Sequence, residues 1–288
     1  MIGSKILLVG NCVLDQIWEL DHFPQQDEES RVLAKTRVLG GNACNTAQIL
    51  AGLGNEVELV SSFAKDTTAT WLLQELTSKN ISTRYCIQKP GFSSAESSIW
   101  LNRENGSRTI VHHRDLPELT IPELKKIPFQ LFKWIHFEGR NIDTLQSFLP
   151  DMTIGDFMIS LEIEKQREGI EQLLPFVNTV IVSSAYLKSK NISANQCLRE
   201  LTTINPNLNI VCTLGDSGLL GQDSQGTLIK LQAEKIEKVV DTIGAGDCFI
   251  GGLIHRLNQN DDFESALKFA NHLAAQKIQF KGMRFESK

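Results

Sequence analysis

The sequence predicts an α/β fold: a mainly parallel central sheet with helices packed on it, and a small second sheet inserted near the start. Three observations carry that expectation. Short apolar, β-branched runs alternate with stretches whose apolar residues recur every three or four positions, which is the pattern of buried strands alternating with helices. Between residues 16 and 40 the pattern changes to Arg31-Val32-Leu33-Ala34-Lys35-Thr36-Arg37-Val38, an alternation suited to strands with one wet face. Near the end, Val239 and Val240 lead into Asp241-Thr242-Ile243-Gly244-Ala245-Gly246-Asp247, and Phe249, Ile250, Leu253, Ile254 and Leu257 continue at helical spacing. That stretch reads as strand, tight turn and helix.

Taken in order, residues 5–10 read as a first buried strand ending in the polar turn Gly10-Asn11-Cys12. Asp15 follows just past the strand's carboxyl end, where open α/β sheets place their ligands. The segment 16–40 is expected to be a separate small sheet, with Asp27, Glu28 and Glu29 in a solvated loop. Gly40-Gly41-Asn42-Ala43-Cys44-Asn45 opens a helix running to about Leu53. Asn42 and Asn45 are three apart and share one face, where their amides either cap the helix or donate to and accept from hydroxyl groups. Residues 57–64 read as a strand and 69–76 as a helix. Residues 84–88, 95–102 and 107–113 are strand-like, and Asn102-Arg103-Glu104-Asn105-Gly106 has hairpin chemistry. These pieces are expected to complete the small sheet, with Arg108 in the last of them. His112 and His113 are adjacent and face opposite sides of a strand, so neither receives a role.

Further strands are expected at 132–140, 158–164, 177–183 and 209–214, with helices at 167–174 and 194–204. The turn Gly215-Asp216-Ser217-Gly218 at a strand end would allow close approach to the backbone. A hairpin at 219–231 precedes the strand-turn-helix, and an amphipathic helix at 263–280 closes the chain. At 288 residues the chain is long enough for one large domain with a sizeable core. Twenty-nine basic against 34 acidic residues give a net charge of −5, which argues against nucleic acid as the main partner. No apolar run reaches membrane-spanning length and the start has no signal-peptide layout. The six cysteines (Cys12, Cys44, Cys86, Cys197, Cys212, Cys248) show no CxxC and no zinc spacing. Reduced thiols in a cytoplasmic protein are the expectation.

The chemistry concentrates at Gly244-Ala245-Gly246-Asp247. Small residues at a turn into a helix let backbone N–H groups point at an anion, with the positive end of the helix dipole behind them. Asp247, in the first helical turn, would sit beside that cradle, where taking a proton from an attacking hydroxyl is a reason for a carboxylate to be. A lone Gly-Ala-Gly-Asp is more often a plain turn. The full run Asp-Thr-x-Gly-Ala-Gly-Asp-x-x-x-Gly-Gly, however, resembles the C-terminal signature of the ribokinase-like (PfkB) carbohydrate kinases, and Gly-Gly-Asn followed by Asn resembles their N-terminal one. Blocks such as Phe132-Lys133-Trp134-Ile135-His136, Glu138-Gly139-Arg140-Asn141 and Glu162-Ile163-Glu164-Lys165 resemble most the ketohexose-phosphorylating members.

The resemblance implies a three-layer α/β/α sandwich over residues 1–288, with a β-sheet lid inserted at about 12–40 and 84–115. It implies phosphoryl transfer from ATP to the primary hydroxyl of a ketohexose, D-fructose giving fructose 1-phosphate. Asp247 would be the base, and Gly244, Ala245 and Gly246 the anion hole. Asp15, Gly41, Asn42 and Asn45 would hold the sugar. Asp27 would reach a neighbouring subunit's sugar in a homodimer joined through the lid. Arg108, Gly215, Asp216, Ser217 and Gly218, with Gly244 and Gly246, would cradle ATP. Mg²⁺ would come with ATP, and such enzymes commonly respond to K⁺. The family's frequent Asn-x-x-Glu is replaced here by Ser183-Ser184-Ala185-Tyr186, which leaves the metal ligands unassigned. Two other readings are a kinase of another sugar or nucleoside on the same fold, and a catalytically silent sugar- or nucleotide-sensing protein. The lack of G-x-x-x-x-G-K-[ST] excludes a P-loop kinase, and no G-x-G-x-x-G follows the first strand.

Overall fold

A computed structural model describes residues 5–152 and 155–284. The chain opens with β1 (Ile6–Val9) and crosses to a smaller sheet through β2 (Val13–Leu20) and β3 (Ala34–Gly40). Helix α1 (Asn42–Gly52) returns it to β4 (Val57–Val60), followed by β5 (Ser62–Ala64), α2 (Thr67–Ser78), β6 (Ile81–Ser82) and β7 (Ile87–Lys89). The smaller sheet is completed by β8 (Glu96–Asn102) and β9 (Arg108–His113). Next come α3 (Ile121–Leu124), β10 (Trp134–Glu138), α4 (Ile142–Phe148), β11 (Met158–Ile163), β12 (Thr179–Val182), α5 (Ser184–Lys190) and α6 (Ala194–Ile204). The chain ends with β13 (Asn209–Thr213), the hairpin β14 (Leu219–Gln222) and β15 (Leu228–Leu231), α7 (Ala245–Asn258) and α8 (Phe263–Lys277).

The central sheet runs β15-β14-β13-β12-β11-β10-β1-β4-β6, parallel except for the β14–β15 edge hairpin. Alternation along each strand feeds two cores. On β1, Leu7 and Val9 join Ile135, Phe137 and Leu161 under α4 and α6, while Ile6 and Leu8 join Trp134 and Ile181 under α1, α2, α7 and α8. The result is the expected three-layer α/β/α arrangement with a small additional sheet, ordered β3-β2-β8-β9. Among the described residues no helix is long and apolar enough to cross a membrane. All six cysteines are free, and five are buried.

Three local expectations fail for physical reasons. Val239 and Val240 are not a strand: both are about half exposed in an irregular segment, with the Val240 and Asp241 N–H groups donating to the Ile278 carbonyl. With these N–H groups taken by the end of α8, the run joins no strand ladder, and β propensity alone does not make a strand. The strand expected at 84–88 falls at Ile87–Lys89 and pairs with β5, outside the smaller sheet. The helix expected at 167–174 is a 3-10 segment, Ile170–Phe176, containing Pro175, which lacks the N–H that regular helix propagation requires.

Candidate active site

Within the parallel part of the sheet the chain order reverses at β1, with β4 on one side and β10 on the other, and such a switch point opens a crevice at the strands' carboxyl ends. Asn11 lies there, its N–H donating to Glu138 Oε2 at 2.8 Å across the two strand ends. Glu138 is buried; burial raises its pKa, while Arg140 and the Asn11 N–H oppose the rise. Helix α1 begins beside it. Its capping residue Gly41 has φ +93°, and a Cβ there would lie 2.5 Å from the Asn11 carbonyl oxygen. Only glycine adopts that conformation at that separation without strain.

The first turn of α1 delivers two amides to the crevice. Asn42 Nδ2 donates to Glu162 Oε1 at 2.9 Å, and Asn45 Nδ2 donates to Asp247 Oδ2 at 2.8 Å. Helix α7 brings Asp247 from the other side, packed along α1 so that Thr46 Oγ1 reaches the Asp247 carbonyl at 3.5 Å. Gly244 caps α7 at φ +75°, and the place of a Cβ on it is filled by Met283. A Cβ on Gly246 would meet nothing within 4 Å, so the start of α7 is open on that side, while the Ala245 N–H donates to the Thr242 carbonyl at 3.3 Å.

Asp247 is buried and its carboxyl is pushed up from 3.8 to about 7. Burial is the main cause. The Asn45 amide opposes it, Glu138 and Glu164 add repulsion, and Lys277 acts in the opposite sense. Glu162 is also pushed up, by burial and by the charges of Asp247 and Glu138. Its Oε2 is buried with no hydrogen-bond partner among the described residues. Carboxylates in one desolvated crevice cannot all ionise cheaply, and one held near neutrality is suited to proton transfer. A carboxylate beside a helix N-terminus pairs that function with an anion cradle.

Thus Asn42, Asn45, Gly41, Asp247 and the Gly244-Ala245-Gly246 turn come together. Asp15 lies on β2, half-buried, beside Gly40 and next to Ser97, and burial raises its pKa. Arg108 begins β9, exposed; its register opposite Leu101 puts it on the Asp15 face of the smaller sheet, further along. Asp27 is exposed at φ +63° in the loop between β2 and β3. Gly215, Asp216, Ser217 and Gly218 form the turn between β13 and β14. Gly218 is accounted for by contact with the backbone at Leu231–Ala233, whereas Gly215 faces open space. Pattern reading missed Glu138 and Glu162 as site residues. Their one local signal is position: each stands at or next to the end of a parallel strand.

The family model of the pfkB family carbohydrate kinases matches residues 4–288. The chain is 30% identical to ketohexokinase from Mus musculus, covering 98% of each chain. It is 25% identical to deoxyribokinase from Salmonella typhi, covering 96% of this chain and 93% of that one. The fold superposes on the structure of Arabidopsis thaliana ribokinase complexed with ribose and ATP with a TM-score of 0.82 at 16% identity, covering 97% and 94% of the two chains.

Proposed function

Because the chain belongs to the pfkB family of carbohydrate kinases, and is thus an ATP-dependent sugar kinase, we propose that it transfers the γ-phosphoryl group of ATP to the primary hydroxyl of a ketohexose, with D-fructose giving fructose 1-phosphate. The observation that carries the mechanism is the pairing of buried Asp247 with the Asn45 amide at the open N-terminus of α7. Asp247, ionised, takes the hydroxyl proton as the oxygen attacks phosphorus. The N–H groups of Gly244, Ala245 and Gly246 stabilise charge on the transferred group, which is most of what phosphoryl transfer asks of a protein. Asp15, Gly41, Asn42 and Asn45 hold the sugar. Gly215, Asp216, Ser217 and Gly218 lie on the nucleotide side, and Arg108 approaches the phosphates from the smaller sheet.

Among the described residues no three His, Cys, Asp or Glu side chains form a metal site. The buried, unpartnered Glu162 Oε2 is a hard oxygen that would serve as a ligand to Mg²⁺ arriving with the ATP phosphates, or as a partner for its water shell. Bound there, Mg²⁺ would neutralise phosphate charge. The smaller sheet acts as a lid that keeps water from the phosphoryl group. Its exposed Trp100, Ile110 and Val111, with exposed Val32 and Leu33 in the loop just before β3, support a homodimer through this sheet, with Asp27 reaching the neighbouring sugar; a light-scattering mass near the 32.2 kDa of one chain would contradict it. The ketohexose assignment rests on the 30% identity to ketohexokinase.

The test is ADP release from Mg-ATP with D-fructose, other ketoses, ribose, 2-keto-3-deoxygluconate and adenosine, the phosphate position being read by NMR. Fructose turnover to the 1-phosphate is expected. Preferential turnover of another acceptor would overturn the ketohexose assignment while leaving the mechanism. ATP binding without turnover of any acceptor would point to a sensing role.

A further inference from the structure

Lys277, at the end of α8, is fully buried, an unusual condition for a lysine. Its Nζ donates to the Asp241 carbonyl oxygen at 2.8 Å and lies 3.4 Å from Asp241 Oδ2. Asp241 is the node of the segment leading into the anion cradle. Its Oδ1 accepts from the Ile243 N–H at 2.9 Å, its Oδ2 accepts from the Gly282 N–H at 2.9 Å, and its own N–H donates to the Ile278 carbonyl at 3.1 Å. Three residues beyond Asp241 stands Gly244, against Met283 from the same C-terminal segment. One buried ammonium thus ties the end of α8 to the loop that leads into the first turn of α7.

We propose that Lys277 is a positioning residue serving as a built-in monovalent cation, so that the loop 241–246 is held for catalysis without K⁺. An ammonium and a potassium ion carry the same charge, and both are satisfied by carbonyl and carboxylate oxygens. In this chain the Asp241 carbonyl and one carboxylate oxygen already face a covalently attached cation, so this donor set does not fit an additional K⁺. Isolated buried charge is costly, and an ammonium held between two oxygens of one residue is compensated only while Asp241 keeps its place. The loop geometry and the cation therefore enforce each other. Lys277 touches neither sugar nor ATP in this reading, which rests on the kinase assignment above.

The test uses the full chain and two independent readouts. Thermal unfolding is first measured in buffers where K⁺ replaces Na⁺ at constant ionic strength. A specifically bound ion stabilises the native state by mass action, so an unchanged midpoint is expected and a K⁺-specific rise of several degrees would overturn the proposal. This needs no turnover and remains decisive if the kinase assignment fails. Second, ADP release is measured with and without K⁺: less than a twofold change is expected, and a tenfold activation would overturn it. Lys277→Met should lower kcat at least tenfold with the sugar KM little changed, and added NH₄⁺ or K⁺ should restore part of the loss. A loss with no ionic rescue in folded protein would reduce Lys277 to a packing residue. Should that variant not fold, Asp241→Asn, which keeps the carbonyl and weakens the ion pair, is the substitute, with a smaller drop in kcat expected and an unchanged kcat contradicting the idea.

Discussion

Asp247→Asn folds normally and loses on the order of 10²–10⁴ in kcat, the usual contribution of a positioned general base. The substitution keeps the side-chain shape and leaves an oxygen to accept the Asn45 amide, so what disappears is the capacity to take a proton. It also makes the protein more stable above neutrality. Burial raises the Asp247 carboxyl from 3.8 to about 7, so between those values the native state holds a proton that the unfolded chain has released. Stability from this group is fully present below about pH 4 and is lost as pH rises through about 7. Removing the carboxylate therefore raises the melting temperature at pH 8 and changes it little at pH 4. Calorimetry on wild type and variant at both pH values checks the sign. A variant with full activity would remove Asp247 from its role, and equal destabilisation at both pH values would contradict the electrostatic origin.

Gly41→Ala is expected to damage both stability and turnover. A non-glycine residue at φ +93° costs about 1–3 kcal/mol in backbone strain, and its Cβ would also press on the Asn11 carbonyl oxygen. Relief requires moving either the start of α1, which carries Asn42 and Asn45, or the strand end that carries Asn11. Displacements of about 1 Å at reacting groups cost roughly 10²-fold in rate, so kcat/KM should fall by about that factor in the fraction that folds. Denaturant unfolding and steady-state kinetics on the same preparation separate the two effects. Unchanged stability would show that the turn relaxes without strain.

The legible part of the site is the part written as local pattern. Gly41, Asn42 and Asn45 fall together because they lie within one loop and one helical turn, and the Gly-Ala-Gly-Asp turn does so for the same reason. That Asn45 would meet Asp247, 202 positions away, follows from packing α1 along α7, which no local spacing encodes. Glu138 and Glu162 were illegible as site residues because each is a single acid in an apolar strand, and only their adjacency in the parallel register makes them a pair. Lys277 reads as an ordinary charge at the C-terminal end of an amphipathic helix; its burial depends on the segment 278–284 folding back over Asp241. The fold class was written plainly in alternating strands and helices. The Val239–Val240 run misled because β-branched residues report a preference for sheet neighbours, and here the Val240 N–H is taken by the end of α8 instead of by a strand.

The measurement that bears most directly on Asp247 as the base is the pH dependence of kcat/KM for the sugar between pH 5 and 9, which reports ionisations of the free enzyme. A single limb is expected, with activity rising with pH through about 7 as buried Asp247 ionises, and absent from the residual activity of Asp247→Asn. A profile flat across this range, or the same limb persisting in the variant, would contradict it.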